Sequence, residues 1–149
     1  MSLQTKVMDA LKEAMKAKDT IALESLRAIK SAILLAKTEA GAAAELAEEE
    51  ELKLLQKLVK QRKDSAALYA QQGRNDLAEP ELAQVAVIEK FLPKQLSEAE
   101  VTEAVKAIID EVGATSAKDM GKVMGVATKQ LAGKTDGKVI SAIVKSLLA

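Results

Sequence analysis

The residues whose types and spacing invite a chemical reading lie near the C-terminus. Gly121 and Gly125 stand four apart, and Lys118, Lys122 and Lys129 run beside them. On a helix the three lysines fall within about 40° of one another, opposite Met120 and Leu131. A glycine inside a helix costs about 1 kcal/mol relative to alanine, so something should approach closely enough to offset it. Two occupants suit that groove: another helix of the same bundle, or a nucleic-acid backbone whose phosphates meet the lysines, with Lys134 and Lys138 next in the chain. No aromatic residue interleaves these lysines. Stacking on single-stranded bases is therefore disfavoured, and a backbone or shape reader of folded RNA is left.

Other groups only resemble sites. Gly133-Lys134-Thr135 looks like the end of a phosphate-binding loop, but position 128 is Thr where that loop needs Gly, and a helix rather than a strand leads in. Glu48-Glu49-Glu50-Glu51 could suggest a metal. Successive carboxylates on a helix point in different directions, however, and at a helix N-terminus they meet the macrodipole favourably. Asp110-Glu111 and the pair Glu79 and Glu81 read as solvated faces. A second basic stripe, Lys53, Lys57 and Lys60 with Arg62 and Lys63 beyond, reads first as a solvated face and second as an extension of an RNA surface. Histidine and cysteine are absent, which removes disulfides, Cys/His zinc sites and the usual Ser-His and Cys-His nucleophile pairs. No catalytic residue, metal ligand or cofactor site emerges.

The elements that must position these groups are helical. The chain has 149 residues, 48% of them hydrophobic, two prolines, and only Tyr69 and Phe91 as aromatics. That composition favours helix, and the fold class is all-α. Apolar period and end signals place seven helices. The first runs from about Ser2 to Ala17. The second follows an Asp19 cap and ends near Gly41, after which Gly41 to Ala47 reads as a mobile, Ala-rich connection. A third runs from about Ala47 to Gln72, with Leu55, Leu58, Val59, Ala66 and Tyr69 inward. The fourth covers Asp76 to Phe91, with Pro80 acceptable because it falls in about the first turn. Pro93 then bars its predecessor from helical geometry and marks a boundary. The expected organisation is an N-terminal bundle of about four helices over 1–93 and a three-helix C-terminal domain over 94–149. In the latter, Ser97 and Glu100 form a capping box, Ser116 and Asp119 a weaker one, and Asp136 caps the last helix.

Charge and targeting signals say little by themselves. Basic and acidic residues balance at 22 each, which is weak support for gripping nucleic acid by bulk charge. Beyond Ala114, though, six lysines face only Asp119 and Asp136. The N-terminus lacks the apolar core of a signal peptide, and no apolar run is long enough to span a membrane. The expectation is a soluble, cytoplasmic protein.

Several blocks resemble the YqeY family in order and spacing. They are Lys60-Gln61-Arg62-Lys63-Asp64-Ser65, Tyr69, Gly73-Arg74-Asn75-Asp76-Leu77-Ala78 and Phe91-Leu92-Pro93-Lys94-Gln95-Leu96. The tail adds Asp119-Met120-Gly121-Lys122-Val123-Met124-Gly125 and Gly133-Lys134-Thr135-Asp136-Gly137-Lys138-Val139. The resemblance covers essentially the whole chain and implies a bacterial-type protein. Phe91, Gln84 and Thr135 stand where Tyr, Glu and Ala are usual. Gln84 removes a carboxylate and puts a charged contact of the fourth helix in doubt. The tail of this pattern is shared with the B subunit of the tRNA-dependent Asn/Gln amidotransferase, where it contacts the tRNA body while chemistry occurs elsewhere.

The resemblance therefore implies a tRNA-binding accessory module without chemistry of its own. Its contacts would be Lys118, Gly121, Lys122, Gly125, Lys129, Lys134 and Lys138. An amidotransferase or tRNA synthetase component is the implied protein partner, and no membrane or DNA partner is expected. Two other readings stand beside it. One is a protein–protein adaptor that receives a partner helix in the glycine groove. The other is a carbon–nitrogen ligase activity inherited in name only, since no nucleophile–base arrangement is present.

Overall fold

A computed structural model describes residues 2–41 and 45–149. Seven α-helices and one 3-10 turn make up the regular structure of these residues, and no strand occurs among them. The fold is all-α. Contacts divide the chain into two compact units, Met1–Leu92 and Pro93–Ala149. The connection expected over 41–47 falls in part on 42–44, outside the described residues.

In the first unit, α1 spans Leu3–Ala17 and α2 Thr20–Ala40. Ser2 caps α1 by accepting the Thr5 N–H, and Asp19 caps α2 by accepting that of Ala22. Between them Lys18 takes the left-handed conformation, φ 55°, the only non-glycine to do so among the described residues. Its N–H returns to the carbonyls of Ala14 and Met15, which closes α1 tightly enough to turn the chain back on itself. Then come α3, Glu48–Gln71, and α4, Asn75–Glu89.

The apolar stripes of these helices converge. Leu3, Val7 and Leu11 meet Leu26, Ile29 and Ile33, with Leu55 and Val59 of α3 and Val85 and Ile88 of α4. Tyr69 and Leu58, expected inward, are only half-buried. The one buried polar side chain among the described residues, Ser25, is satisfied by donating to the Ile21 carbonyl at 2.8 Å.

Two expectations for α4 change. The helix begins at Asn75, so Pro80 lies beyond its first turn rather than within it. Proline has no N–H to offer the Asp76 carbonyl, and α4 tolerates that loss one turn from its start. Gln84, in turn, does not empty α4 of a charged contact. Its Oε1 accepts from Arg62 Nε at 2.8 Å, and its Nε2 donates to Glu24 Oε2 at 3.0 Å. An amide can do both at once, whereas a carboxylate here could only accept. One side chain thereby ties α2, α3 and α4.

In the second unit, α5 spans Glu98–Val112, α6 Met120–Gln130 and α7 Gly137–Leu148. Ser97 and Glu100 form the capping box, each side chain taking the other's backbone N–H. The Ser97 N–H holds the Glu100 carboxyl below its ordinary range. Gly113, in left-handed geometry, ends α5. Asp136 caps α7 by accepting the Lys138 N–H. The core joins Val101, Val105 and Ile108 with Val123, Ala127 and Leu131 and with Ile140, Ile143 and Val144. A loop contact completes it: the Leu96 N–H donates to the Lys134 carbonyl at 2.9 Å, and Gln95 Nε2 to that of Gly133 at 2.7 Å.

The Ser116 box does not form. Ser116 makes no side-chain capping bond, and Ala117–Asp119 is a 3-10 turn instead. The Asp119 carboxylate reaches back past Ser116 to accept the Thr115 N–H at 3.0 Å, while its own N–H donates to the Ser116 carbonyl. That i to i+3 closure is tighter than an α-turn, so α6 starts only at Met120.

Candidate functional site

The tail residues fall on three pieces of the second unit. Gly121, Lys122, Gly125 and Lys129 lie on α6, and all four are exposed. Val123, Ala127 and Leu131 fill the opposite side and are buried. On α6 the two lysines are about 20° apart, with Gly125 about 60° and Gly121 about 100° round from Lys122. Lys118 is exposed too, but it sits in the 3-10 turn, so α-helical spacing does not place it on this line. Lys134 occupies the turn after α6, half-buried, with its carbonyl held by Leu96. Lys138 is the second residue of α7 and exposed. The structure thus groups four of the seven expected residues on one helix face and sets three on neighbouring segments.

The glycines test one of the two occupants weighed from sequence, a helix of the same bundle. A Cβ built on Gly121 or Gly125 would meet nothing within 4 Å. Among the described residues no helix packs closely against either position, so the intramolecular packing reading is overturned. Neither has positive φ, so the backbone does not require glycine either. The face gives up helix stability at both positions with no internal return. One residue was missed: Thr128 is exposed and lies within about 20° of Gly121, where it offers a hydroxyl at the edge of the glycine cleft. The same helix arithmetic that linked the lysines would have found it.

The electrostatics of this unit are segregated by helix. Its acids are mostly on α5, at Glu98, Glu100, Glu103, Asp110 and Glu111, while α6 carries no carboxylate and α7 none after its cap. Among the described residues, no ion pair engages Lys118, Lys122, Lys129, Lys134 or Lys138. Asp119 is the nearest acid in sequence. Its carboxyl lies below its ordinary range chiefly because of the Thr115 N–H, with the Lys122 charge a lesser cause.

The other groups singled out from sequence resolve differently. Glu48 to Glu51 form the first turn of α3. Burial pushes the Glu51 carboxyl up, and the charges of Glu48 and Glu45 add to this, while Lys37 and Lys6 oppose it. Local crowding therefore outweighs the favourable helix terminus there. No group of three or more His, Cys, Asp or Glu among the described residues is placed to hold a metal ion. Lys53, Lys57 and Lys60 are exposed on α3, Arg62 is committed to Gln84, and Lys63 pairs with Glu89 at 3.4 Å. No described helix is long and apolar enough to cross a membrane.

Residues 4–148 match the family described as YqeY-like protein, and the chain belongs to that family. Among curated relatives it is similar to "Altered inheritance of mitochondria protein 41, mitochondrial" of Clavispora lusitaniae, 35% identical over 81% of this chain and 69% of the relative. The protein of the same name from Meyerozyma guilliermondii is 32% identical over 78% of this chain and 61% of its own length. Both relatives are fungal and named mitochondrial, where the sequence had led us to expect bacterial ones and a cytoplasmic setting.

Proposed function

We propose that the C-terminal unit is an RNA-docking module that binds folded RNA, with tRNA as the expected ligand, and that it supplies no chemistry of its own. The observation that carries the reading is the α6 face: two exposed glycines with open space above them, bordered by Lys122 and Lys129, neither of which has a carboxylate partner. A bare backbone lets a ribose-phosphate chain come close, and unpaired ammonium groups release counterions when they meet phosphates. Lys118, Lys134 and Lys138 extend the positive field from the flanking turns. Near-zero net charge does not oppose this, because the compensating acids of the unit sit on α5.

The test is a titration of the full chain with total tRNA at about 50 mM and about 200 mM salt. Affinity should weaken steeply with salt and collapse in the Lys122→Glu, Lys129→Glu double variant. Affinity unchanged in that variant would remove α6 from the interface. No tRNA binding at low salt, together with a salt-insensitive protein partner retained after nuclease treatment, would replace the RNA reading with the adaptor.

A further inference from the structure

The α1–α2 hairpin carries a second, differently built surface. Gln4, Val7 and Met8 of α1 and Lys30, Ile33 and Leu34 of α2 line a shallow, mostly apolar groove between the two helices. Two of the lining side chains remain uncovered, Met8 at 39% and Leu34 at 60%, and Met15, further along α1, is 55% exposed. Met8 and Met15 lie within about 20° of each other on α1, so the apolar strip continues for about two turns. Leu35, Leu68, Leu77 and Leu82 are exposed as well, but Met8 and Leu34 line one groove and so can share a single partner.

The rim of this groove has one sign of charge. Lys12 lies about 40° from Met8 on α1, and Arg27 and Lys30 lie on the Leu34 side of α2. All three are exposed, and no ion pair among the described residues engages them. Lys37 closes one end by donating to Gln4 Oε1 at 2.9 Å. The carboxylates of both helices turn away. Asp9 is about 100° round from Met8, and Glu24, about 120° round from Lys30, receives the Gln84 amide instead.

We infer that this groove binds an amphipathic helix of a partner protein, with aliphatic side chains seated over Met8, Met15 and Leu34 and carboxylates meeting Lys12, Arg27 and Lys30. Two antiparallel helices present a linear cleft, which fits a helix with anchors at i, i+3/i+4 and i+7 better than it fits a flat lipid surface. Methionine suits such a site because its flexible, polarisable side chain adapts to the anchor it receives. The rim selects acidic partners and repels basic ones. Every residue of this site lies on α1 or α2, within the first unit.

The test uses the full chain labelled with 15N and a synthetic amphipathic helix of about 18 residues, with leucines on one face and glutamates flanking them, beside a twin with lysine for every glutamate. The glutamate peptide should bind saturably and shift amide resonances of α1 and α2 only. Leu34→Glu should weaken binding about tenfold or more. Because Leu34, Arg27 and Lys30 are exposed, these substitutions leave the core intact. Arg27→Glu with Lys30→Glu should reverse the preference, so that the lysine twin binds. Equal binding of both peptides, shifts elsewhere, or no saturable binding would overturn the inference. Retention on phosphatidylglycerol vesicles without peptide binding would assign the groove to a membrane surface instead.

Discussion

Beside its lysines the α6 face carries Gly121, Gly125 and Thr128, while the α1–α2 face carries Met8, Met15 and Leu34 beside its cations. Both surfaces are positive, and among the described residues no ion pair engages the cations of either. The difference lies in what the cations frame. Bare backbone has no apolar area to remove from water, so the α6 face gains little from a hydrophobic partner and much from a polyanion that can come close. The methionine and leucine strip has the opposite balance: each side chain it covers contributes about 25 cal/mol per Å² of apolar area buried. Charge alone does not identify the ligand of a basic patch. The side chains between the charges do.

The widest separation of the two faces should come from Lys122→Glu with Lys129→Glu. We expect tRNA affinity to fall about tenfold or more, with a shallower salt dependence, while peptide binding at α1–α2 stays unchanged. A parallel loss at both faces would make them one electrostatic surface. Next in size is Gln84→Ala, which removes the amide tying α2 to α3 and α4. It should cost about 1 kcal/mol in urea unfolding and leave tRNA binding unaltered.

Gly125→Ala follows, and its sign is the informative part. Since a Cβ there meets open space and the residue lies within α6, the change should stabilise the protein by about 0.5–1 kcal/mol. The same change should weaken tRNA binding. A variant that is more stable and binds equally well would leave the glycines without a role in docking.

The smallest effect concerns Glu51. Its carboxyl titrates above the ordinary 4.5, so the folded state binds that proton more tightly than the unfolded chain does. Its charged form is a burden at neutral pH, and stability falls as pH rises through the raised value. Glu51→Gln should therefore stabilise by less than about 0.5 kcal/mol at pH 7, with no difference below the ordinary carboxylate range. Asp119 runs the other way: its depressed value means that its contribution is present at neutral pH and lost as pH falls. Thermal melts of Glu51→Gln and Asp119→Asn against pH distinguish these slopes.

The helices were legible because their signals are local. Apolar residues recur at helical spacing, and Ser97, Asp136 and Gly113 sit at ends where their side chains or conformations act within three or four residues. The Ser116 box was misread for a reason of the same scale: Asp119 had two backbone N–H groups within reach and took that of Thr115. Gln84 could not be read at all, since its two partners are Arg62 and Glu24, the latter 60 residues away. The lysines and glycines of α6 were visible in sequence, but whether their groove was filled from within depended on helices distant in the chain. Only the fold could show that it stands open. The α1–α2 groove was hidden because Met8 and Leu34 stand on different helices, and only the folded hairpin lays them side by side.

The bonds from Gln95 and Leu96 to Gly133 and Lys134 also bear on the order in which the C-terminal unit is made. They join residues 38 apart, across the whole of α5 and α6. During synthesis the segment leading into α5 emerges first, yet its anchor does not exist until the turn after α6 has left the ribosome. The capping box lets α5 wind alone, but its buried face is covered only by α6 and α7, and the loop bonds add the last tie. A ribosome stalled before α6 has emerged would therefore expose an α5 that is helical but undocked.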